Sequence, residues 1–327
     1  MGGIADHLFR LREIGIAVAL LAIVLIMGLL RTSEFATVKN LLDVLTAASI
    51  VSVAGAGMTL VIASGGIDIS IGSLLGLIGA LAGIAAIHGV PPVVCLGMAV
   101  FAGAVLGSAN AFLSKLGDIH PIIVTLAGIS IYRGLMLQIT GGYEVSPLPQ
   151  PYRLLVDGRV LGVPKVLWFA LGVLAVNWLL IGRTLLGRRL LAVGNSEKAA
   201  RTIGLSPWRL RIVAFAILGG CVGLASVMWG GYYGKIQSNT GQGWELLVIA
   251  ATVIGGCSIT GGRGTALGAF LGSVLIALVY NALVLLEISP CWQDLFVGCL
   301  ILGAVLIDTW LPALIHAGRR GNAGGRR

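Results

Sequence analysis

"VIASGGIDISIGSLLGLIGAL", residues Val61–Leu81, joins two apolar runs through a short polar interruption. The interruption begins with Gly65 and Gly66, carries Asp68, and ends at Ser70, where the chain becomes apolar again. A charged residue at the centre of a lipid-facing helix costs about 3 kcal/mol on insertion scales. Broken helices are tolerated at membrane depth only where protein buries the break or a water-filled cavity borders it. The stretch therefore predicts a break between two membrane helices inside a larger bundle.

The composition of the whole chain indicates a polytopic membrane protein. Of its 327 residues, 57% are hydrophobic and 11% are charged, whereas an ordinary soluble domain has about 25% charged residues. Apolar runs of about 20 residues, the length that crosses a membrane, recur along the chain. The first run, Ile14–Leu30, lacks a small-residue cleavage site and is interpreted as a span. The net charge of +9 is assigned to cytoplasmic loops and not to nucleic-acid binding.

Apolar windows bounded by glycine, proline and charge predict an all-α polytopic membrane protein with about ten transmembrane helices. These helices are predicted at residues 14–30, 44–63, 70–88, 91–114, 121–139, 165–181, 209–229, 244–260, 264–286 and 293–310. The whole chain, residues 1–327, is interpreted as a single transmembrane domain. Its two longest loops are predicted at about 140–164 and 182–208.

The distribution of Lys and Arg predicts the orientation of the chain. If the N-terminus is inside, fifteen of these residues fall in cytoplasmic segments and six in outside segments. The positive-inside rule requires this asymmetry. Both termini are therefore predicted to be cytoplasmic, together with the loop 182–208 and a basic C-terminal tail, residues 311–327.

The opening stretch has a weak echo in "VIGGCSITGGRGTALGAFLGSVL", residues Val253–Leu275. Each segment contains a glycine pair, a short polar interruption and then a helix with regularly spaced glycines. Such echoes are typical of transporters built from two related halves around a central pathway. We therefore expect two loosely related halves, whose small-residue faces allow close packing of helices.

The long inside loop contains a short helix with signals at both ends. Asn195 or Ser196 is a natural N-cap, Gly204 is a typical C-terminal stop, and Pro207 prevents the helix from continuing. The pattern predicts a helix of about two turns from Ser196 to Ile203. Because helices shorter than about 12 residues are marginal in water, this helix must pack against something. The rim of its own bundle and a partner protein both satisfy that need.

Five motifs follow one another along nearly the whole chain: "GGIDISIGS" (65–73), "TLAGISIYRGLML" (125–137), "GNSEKAARTIGLSPWRLRIVAF" (194–215), "NTGQGWELLVIAATVIGGCSITGGRGTALGAFLG" (239–272) and "NALVLLEISPCWQDLFVGCLILGAVLID" (281–308). In this order they resemble the ribose-type permeases of bacterial ATP-binding-cassette importers. Five linked motifs are far more specific than any one of them. Within that family the chain looks most similar to the autoinducer-2 and rhamnose branch.

The resemblance implies a ten-span permease that imports a monosaccharide or sugar-like molecule, of autoinducer-2, rhamnose or ribose type, across the bacterial inner membrane. It implies a second permease subunit, identical or related, two cytoplasmic ATP-binding subunits and a periplasmic sugar-binding protein. By motif, the short helix becomes the coupling helix that contacts an ATP-binding subunit. Its matching positions are Gly194, Asn195, Glu197, Ala200, Arg201, Gly204 and Leu205.

The chain carries no recognisable motif for energy conversion or catalysis of its own. It has no G-x-x-x-x-G-K-[ST] sequence, so ATP is expected on a partner and no cofactor on this chain. No catalytic residues are predicted. Its four histidines lie at helix ends or termini, and no metal site is expected. An ion-coupled secondary carrier is the main alternative, but carriers of that kind usually place acids in mid-membrane, where only Asp68 has a plausible deep position. A structural membrane scaffold is a third class.

A pathway for an uncharged sugar needs scattered hydrogen-bond donors and acceptors. Asp68, Ser70, Asn110 and Thr125 are the residues predicted to line this pathway or its gate. Two roles stay open for Asp68. It is either a cap on the helix that begins at Ile69 or Ser70, or a residue of the inner gate.

Three arginines near the predicted outer surface have separate interpretations. Arg153 and Arg159 lie in the outer loop, where they could pair with an acidic lobe of a binding protein, although an ordinary solvated loop is equally compatible. Arg133 is near the outer end of a helix, where it is expected to reach the interface or to donate to free carbonyl groups. Membrane lipid is the remaining expected partner.

Overall fold

The computed structural model describes residues 2–289 and the single residues 292, 295, 296, 298, 299, 302, 303 and 306, with side chains from Gly15 onward. Between residues 2 and 289 the chain forms α-helices and one two-stranded antiparallel hairpin. The helices are α1 (Gly2–Leu30), α2 (Thr32–Phe35), α3 (Val38–Ala63), α4 (Ile71–Ile87), α5 (Pro92–Leu116), α6 (Pro121–Thr140), α7 (Gln150–Val156), α8 (Lys165–Arg183), α9 (Leu185–Asn195), α10 (Glu197–Thr202), α11 (Pro207–Tyr233), α12 (Trp244–Ile254) and α13 (Ala266–Leu285). The hairpin strands are β1 (Arg159–Val160) and β2 (Val163–Pro164).

The all-α polytopic membrane fold predicted from the sequence is confirmed. Within the described residues, six helices are long and apolar enough to cross a membrane, namely α3, α5, α6, α8, α11 and α13. Three shorter apolar helices, Gly15–Leu30, α4 and α12, coincide with further predicted spans. The tenth predicted span, residues 293–310, and the basic tail 311–327 lie outside the continuously described part of the chain.

The structure corrects the predicted length of the eighth span. The prediction was 244–260, but α12 has 11 residues and ends at Ile254. Gly256 follows with a φ of 96°, a conformation that residues with a side chain rarely adopt, and its amide donates back to the Val253 carbonyl. A helix of this length rises about 16 Å, roughly half of the hydrocarbon core. The remaining depth is crossed by irregular backbone.

α3 is the central helix of the bundle. Most of its residues from Val44 to Ala63 are buried, and it packs against α8, α11, α12 and α13. α5 and α11 form the most extensive helix pair. There Gly103 faces Gly219, and a Cβ on either glycine would overlap with the carbonyl oxygen of the other. Direct backbone contact of this kind is how small residues hold membrane helices together.

The peripheral helices expose large apolar side chains. Phe101 of α5 is 72% exposed, Ile123 of α6 is 59% exposed, and Val176 of α8 is 57% exposed. Surfaces of this composition suit lipid tails or a second membrane subunit. They contrast with the buried polar residues of α3 and α4, which lie in the interior.

Two irregular segments interrupt the bundle on the same side. The first break, residues 64–70, separates α3 from α4, and the second break, residues 255–265, separates α12 from α13. In each break a glycine with positive φ follows the helix end, Gly65 at 82° and Gly256 at 96°. The breaks meet directly, because the Gly262 amide donates to the Ala63 carbonyl over 2.9 Å. The local echo between the two sequences therefore corresponds to two helix breaks in contact.

The α5–α11 contact generates a stability prediction. In Gly103→Leu a side chain would have to occupy the space of the Gly219 backbone, so we expect a loss of about 1–3 kcal/mol, the usual cost of overpacking. The measurement is the midpoint of thermal unfolding of the purified protein in detergent. Gly97→Leu is the matched control on the same helix, since nothing lies within 4 Å of its Cβ position. Equal midpoints for the two variants would contradict the prediction.

Candidate functional site

α9 and α10 lie at the end of α8 that is opposite the β-hairpin, because the hairpin precedes α8 and these helices follow it. The predicted short helix is confirmed as α10, and its ends form as expected. The Ser196 side chain accepts from the Ala199 amide over 3.2 Å. At the other end Gly204 has a φ of 81°, and the Leu205 amide donates to the Ala200 carbonyl over 3.0 Å.

The sequence interpretation missed α9. The Thr184 side chain caps it by accepting from the Gly187 amide over 3.2 Å, and Gly187, Leu190 and Val193 are buried. This spacing of three residues is the pattern of an amphipathic helix that packs one face on the bundle. The capping threonine followed by that spacing is the signal from which α9 could have been predicted.

The two faces of α10 have different surroundings. Ala200 is only 2% exposed and packs on the bundle, and Leu205 is half-buried. Lys198, Arg201 and Thr202 are exposed, as is Ile203, an apolar residue at 71% exposure. Ile203 was absent from the predicted set of contact residues because only the tertiary packing shows which way the last turn faces. The outward face of α10 is therefore mixed, with charges beside one large apolar side chain.

Glu197 ties α10 to the rest of the bundle. Its carboxylate accepts hydrogen bonds from Arg201 on the same helix and from Arg211 on α11, each over 2.7 Å. The hydrogen bond from Arg201, with the charge of Arg211, holds the pKa of Glu197 below its ordinary value. The carboxylate is thus ionised at neutral pH, and both ion pairs are lost only as the pH falls through that lowered pKa.

Arg211 also contacts the first break. Its Nε donates to the Ser64 carbonyl over 3.3 Å, while its terminal nitrogen binds Glu197. One guanidinium therefore joins α10, α11 and the end of α3. The planar fork of arginine suits this role because it can serve two acceptors in fixed directions.

The C-terminal end of α9 fits between the two breaks. A Cβ on Gly194 would overlap with the Ala63 carbonyl oxygen and approach the Gly262 amide. Asn195 in turn lies against Gly262, whose Cβ position is 3.0 Å from Asn195 Cα. Gly194 is therefore required for the close approach, and the predicted positions Gly194 and Asn195 act at a junction of three chain segments.

Asp68 lies in a buried polar network at the start of α4, and 1% of it is exposed. Its Oδ1 accepts from the Ser70 amide over 2.9 Å and from the Ser70 hydroxyl over 2.6 Å. The Asn110 side-chain amide lies 2.9 Å from the Ser70 hydroxyl and 3.4 Å from Asp68 Oδ2. The Tyr132 hydroxyl donates to Asn110 Oδ1 over 2.7 Å. The network joins the first break to α5 and α6.

The structure thus brings three of the four predicted pathway residues together and leaves the fourth apart. Asp68, Ser70 and Asn110 share one network, and Tyr132 is a member that the sequence did not single out. Thr125 is fully buried, and its hydroxyl bonds to the Ile122 carbonyl of its own helix over 3.1 Å. The Asp68 carboxylate accepts from the amide of Ser70, the residue that precedes α4, so it fixes the entry to the helix from two residues upstream.

Of the remaining predicted residues, Arg153 and Arg159 lie toward the hairpin end of α8, whereas Arg133 lies beside Gly76 of α4. Arg153 on α7 and Arg159 on β1 are both exposed, and Arg153 is 3.9 Å from Asp157. Arg133 on α6 donates to the carbonyls of Ser238 and Thr240 over 2.8 and 2.9 Å. The expectation that Arg133 donates hydrogen bonds to free carbonyl groups is confirmed. Among the described residues, no group of three or more His, Cys, Asp or Glu side chains is arranged to hold a metal ion.

Comparison with known proteins identifies the family. Residues 40–305 match the family described as branched-chain amino acid transport system / permease component. The chain belongs to this family of permeases. The permease is 35% identical to the autoinducer 2 import system permease protein LsrC of Salmonella typhi over 307 residues, which are 93% of this chain and 88% of that protein. It is 34% identical to LsrC of Yersinia pestis (strain Pestoides F) over 306 residues, 93% of this chain and 87% of that protein.

Family membership agrees with the resemblance described from the motifs. The chain is a permease of a transport family, and membership of this family implies ATP-binding subunits and a periplasmic binding protein as partners. This gives α9 and α10 a functional context, because such a permease must present a surface to the subunits that bind ATP.

The Asp68 network generates a second prediction. In Tyr132→Phe the ring is kept but Asn110 Oδ1 loses its donor in a buried site, which costs about 1–3 kcal/mol. We expect a lower midpoint of thermal unfolding for the purified permease. Tyr143→Phe is the matched control, because Tyr143 is 79% exposed. A Tyr132→Phe midpoint equal to that of the control would show that the network adds no stability.

Proposed function

We propose that this permease is the membrane subunit of an ATP-driven importer for autoinducer-2 or a closely similar sugar-like molecule. The similarity to LsrC along 93% of the chain supports the substrate class. The observation that carries the mechanism is α10, a helix locked to the bundle on one face and exposed on the other. The permease itself supplies the pathway and no cofactor, and ATP is bound by the partner subunits.

In this proposal α10 is the coupling helix. Lys198, Arg201, Thr202 and Ile203 face outward and contact the ATP-binding subunit. Ala200 and Leu205 hold the helix on the bundle, and Gly194 and Gly204 allow the close approach and the sharp end that place it. Glu197 is a positioning residue, because both of its ion pairs lie within the permease.

Movement of α10 would reach the pathway through the first break. Arg211 links Glu197 to the Ser64 carbonyl, and the same break continues into Asp68 and Ser70. Closure of the ATP-binding subunits would displace α10, and the junction would pass the displacement to α3 and α4 as a rigid-body change. Asp68, Ser70 and Asn110 then belong to the hinge of the gate, with Thr125 on the neighbouring helix α6.

The same proposal orients the chain and its partners. The end with α9 and α10 faces the cytoplasm, with both termini, and the end with α7 and the hairpin faces the periplasm. Arg153 and Arg159 are placed there to pair with acidic residues of the binding protein. The exposed apolar faces of the outer helices contact lipid and a second permease, identical or related. The chain forms one transmembrane domain over residues 1–327.

The function is tested by uptake into proteoliposomes that contain the permease, its ATP-binding subunits and the binding protein. We expect ATP-dependent uptake of autoinducer-2. Uptake driven by a proton or sodium gradient without the ATP-binding subunits would overturn the proposal in favour of an ion-coupled carrier.

The coupling surface is tested by Ile203→Asp. Ile203 is 71% exposed, and a charge placed in an apolar contact with the ATP-binding subunit should lower co-purification of the two proteins at least tenfold, since central apolar contacts are worth about 2 kcal/mol or more. Leu161→Asp is the matched control, as Leu161 is 89% exposed near the other end of α8. Equal co-purification of the two variants would refute the assignment.

The transmission step is tested by Arg211→Ala. We expect the complex to assemble and hydrolyse ATP while uptake per ATP falls at least fivefold, because the link between α10 and the first break is removed. Arg209→Ala is the control, since Arg209 lies 5.3 Å over the ring of Trp208 and outside this link. Unchanged uptake per ATP in Arg211→Ala would show that another contact transmits the movement.

A further inference from the structure

The segment between α11 and α12, residues 234–243, turns back into the bundle along one face of α4. This face consists of the glycines at positions 72, 76 and 79, and their missing side chains form a groove for the segment. The contacts are Ile236 with Gly79, Thr240 with Gly76, and Gly241 with Gly72. The regularly spaced glycines of α4 therefore make room for a re-entrant segment of backbone as well as for neighbouring helices.

The tip of the re-entrant segment lies deep in the membrane. At a rise of 1.5 Å per residue, Gly76 is about 16 Å and Gly72 about 22 Å from the end of α4 at Ile87. Thr240 and Gly241 lie beside these two glycines. The short α12 starts at Trp244 beside the same glycines, because the Glu245 carboxylate lies against Gly72. Measured from Ile87, irregular backbone thus occurs between about half and three-quarters of the way across a hydrocarbon core of about 30 Å.

The re-entrant segment is held in place by a side chain of α6 and by a hydrogen bond within the segment. Arg133 of α6 donates to the Ser238 and Thr240 carbonyls, and the Thr240 hydroxyl accepts from the Gln237 amide over 2.9 Å. Glu245, in the first turn of α12, is close enough to Arg133 for their opposite charges to interact. The tip is therefore fixed, because the Ser238 and Thr240 carbonyls accept hydrogen bonds from a protein side chain.

Two amide side chains of this tip are nevertheless exposed. Asn239 and Gln242 are both exposed, and so is Gly243. Irregular backbone at this depth is tolerated only where it is buried in protein or lines a water-filled cavity. Exposed amides at the same level would be costly in contact with lipid tails. The exposed side of the tip must therefore face water or another protein subunit.

We infer that Asn239 and Gln242 form the intramembrane contact site for the transported molecule. This inference rests on the proposed import function. Each amide offers two donors and one acceptor oxygen, so the pair can exchange hydrogen bonds with the hydroxyl groups of a small uncharged polyol. The two contacting side chains are uncharged amides, and the nearby charges of Arg133 and Glu245 oppose each other. Such weak, exchangeable contacts permit release as well as entry.

Uptake of autoinducer-2 by the full importer tests the site. Asn239→Leu and Gln242→Leu are each expected to lower the maximal uptake rate about fivefold, the loss of roughly one hydrogen bond, while ATP hydrolysis stimulated by the binding protein is retained. Gln237→Leu is the control, because Gln237 follows Ile236 at the shallower level of Gly79. If the unmodified complex imports autoinducer-2 and both variants match it, the site is refuted and the import function stands. If the unmodified complex does not import it, the import function itself fails.

Accessibility gives a second measurement that does not depend on transport. Asn239→Cys and Gln242→Cys, in a background with Cys291 and Cys299 replaced by serine, should react with a membrane-impermeant thiol reagent added outside, and autoinducer-2 with the binding protein should slow the reaction. Phe101→Cys is the control, since Phe101 is 72% exposed on α5 about 14 Å from its outer end and should stay unreactive in lipid. Unreactive thiols at both tip positions in the assembled complex would overturn the inference and show that the tip is covered by the second permease.

Discussion

The hydrogen bond from the Gly262 amide to the Ala63 carbonyl joins the two places where this bundle interrupts its helices on one side. In lipid, backbone polar groups need partners within the protein, so an interruption is stable only where another segment covers it. Here each break covers the other, and the end of α9 at Gly194 fills the space between them. The position of α10, and with it the surface offered to the ATP-binding subunits, follows from this junction.

The same constraint explains the glycine content of α4. A re-entrant segment can descend beside a helix only if the helix presents bare backbone, because an added Cβ would occupy the position of Thr240 or Gly241. Close backbone contact also gains dispersion energy, which matters in a membrane where lipid tails solvate apolar side chains as well as protein does. The glycines of this permease thus allow close packing of helix pairs and also form a groove that holds irregular backbone.

Two ionisable side chains in the interior, Asp68 at the start of α4 and Arg133 beside Gly76, have similar surroundings. Asp68 is surrounded by donors from Ser70 and Asn110, and Arg133 is surrounded by backbone carbonyls of the re-entrant segment. In each case protein groups replace water, and the hydrogen bonds of the side chain fix an irregular segment against a helix. The interior is therefore well connected, which favours movement of whole helices over local rearrangement.

Sequence alone was sufficient for features with local causes. Hydropathy and length placed the helices of the membrane bundle, and Ser196, Gly204 and Pro207 placed α10, because caps and stops act within a few residues. The tertiary structure decided the length of α12, the partners of Asp68 and the outward position of Ile203. Each of these depends on which backbone or side chain lies opposite, and that is set by contacts between residues far apart in the chain. The permease family was evident from the order of its motifs, whereas the junction of the two breaks and the depth of Asn239 and Gln242 required the packed bundle.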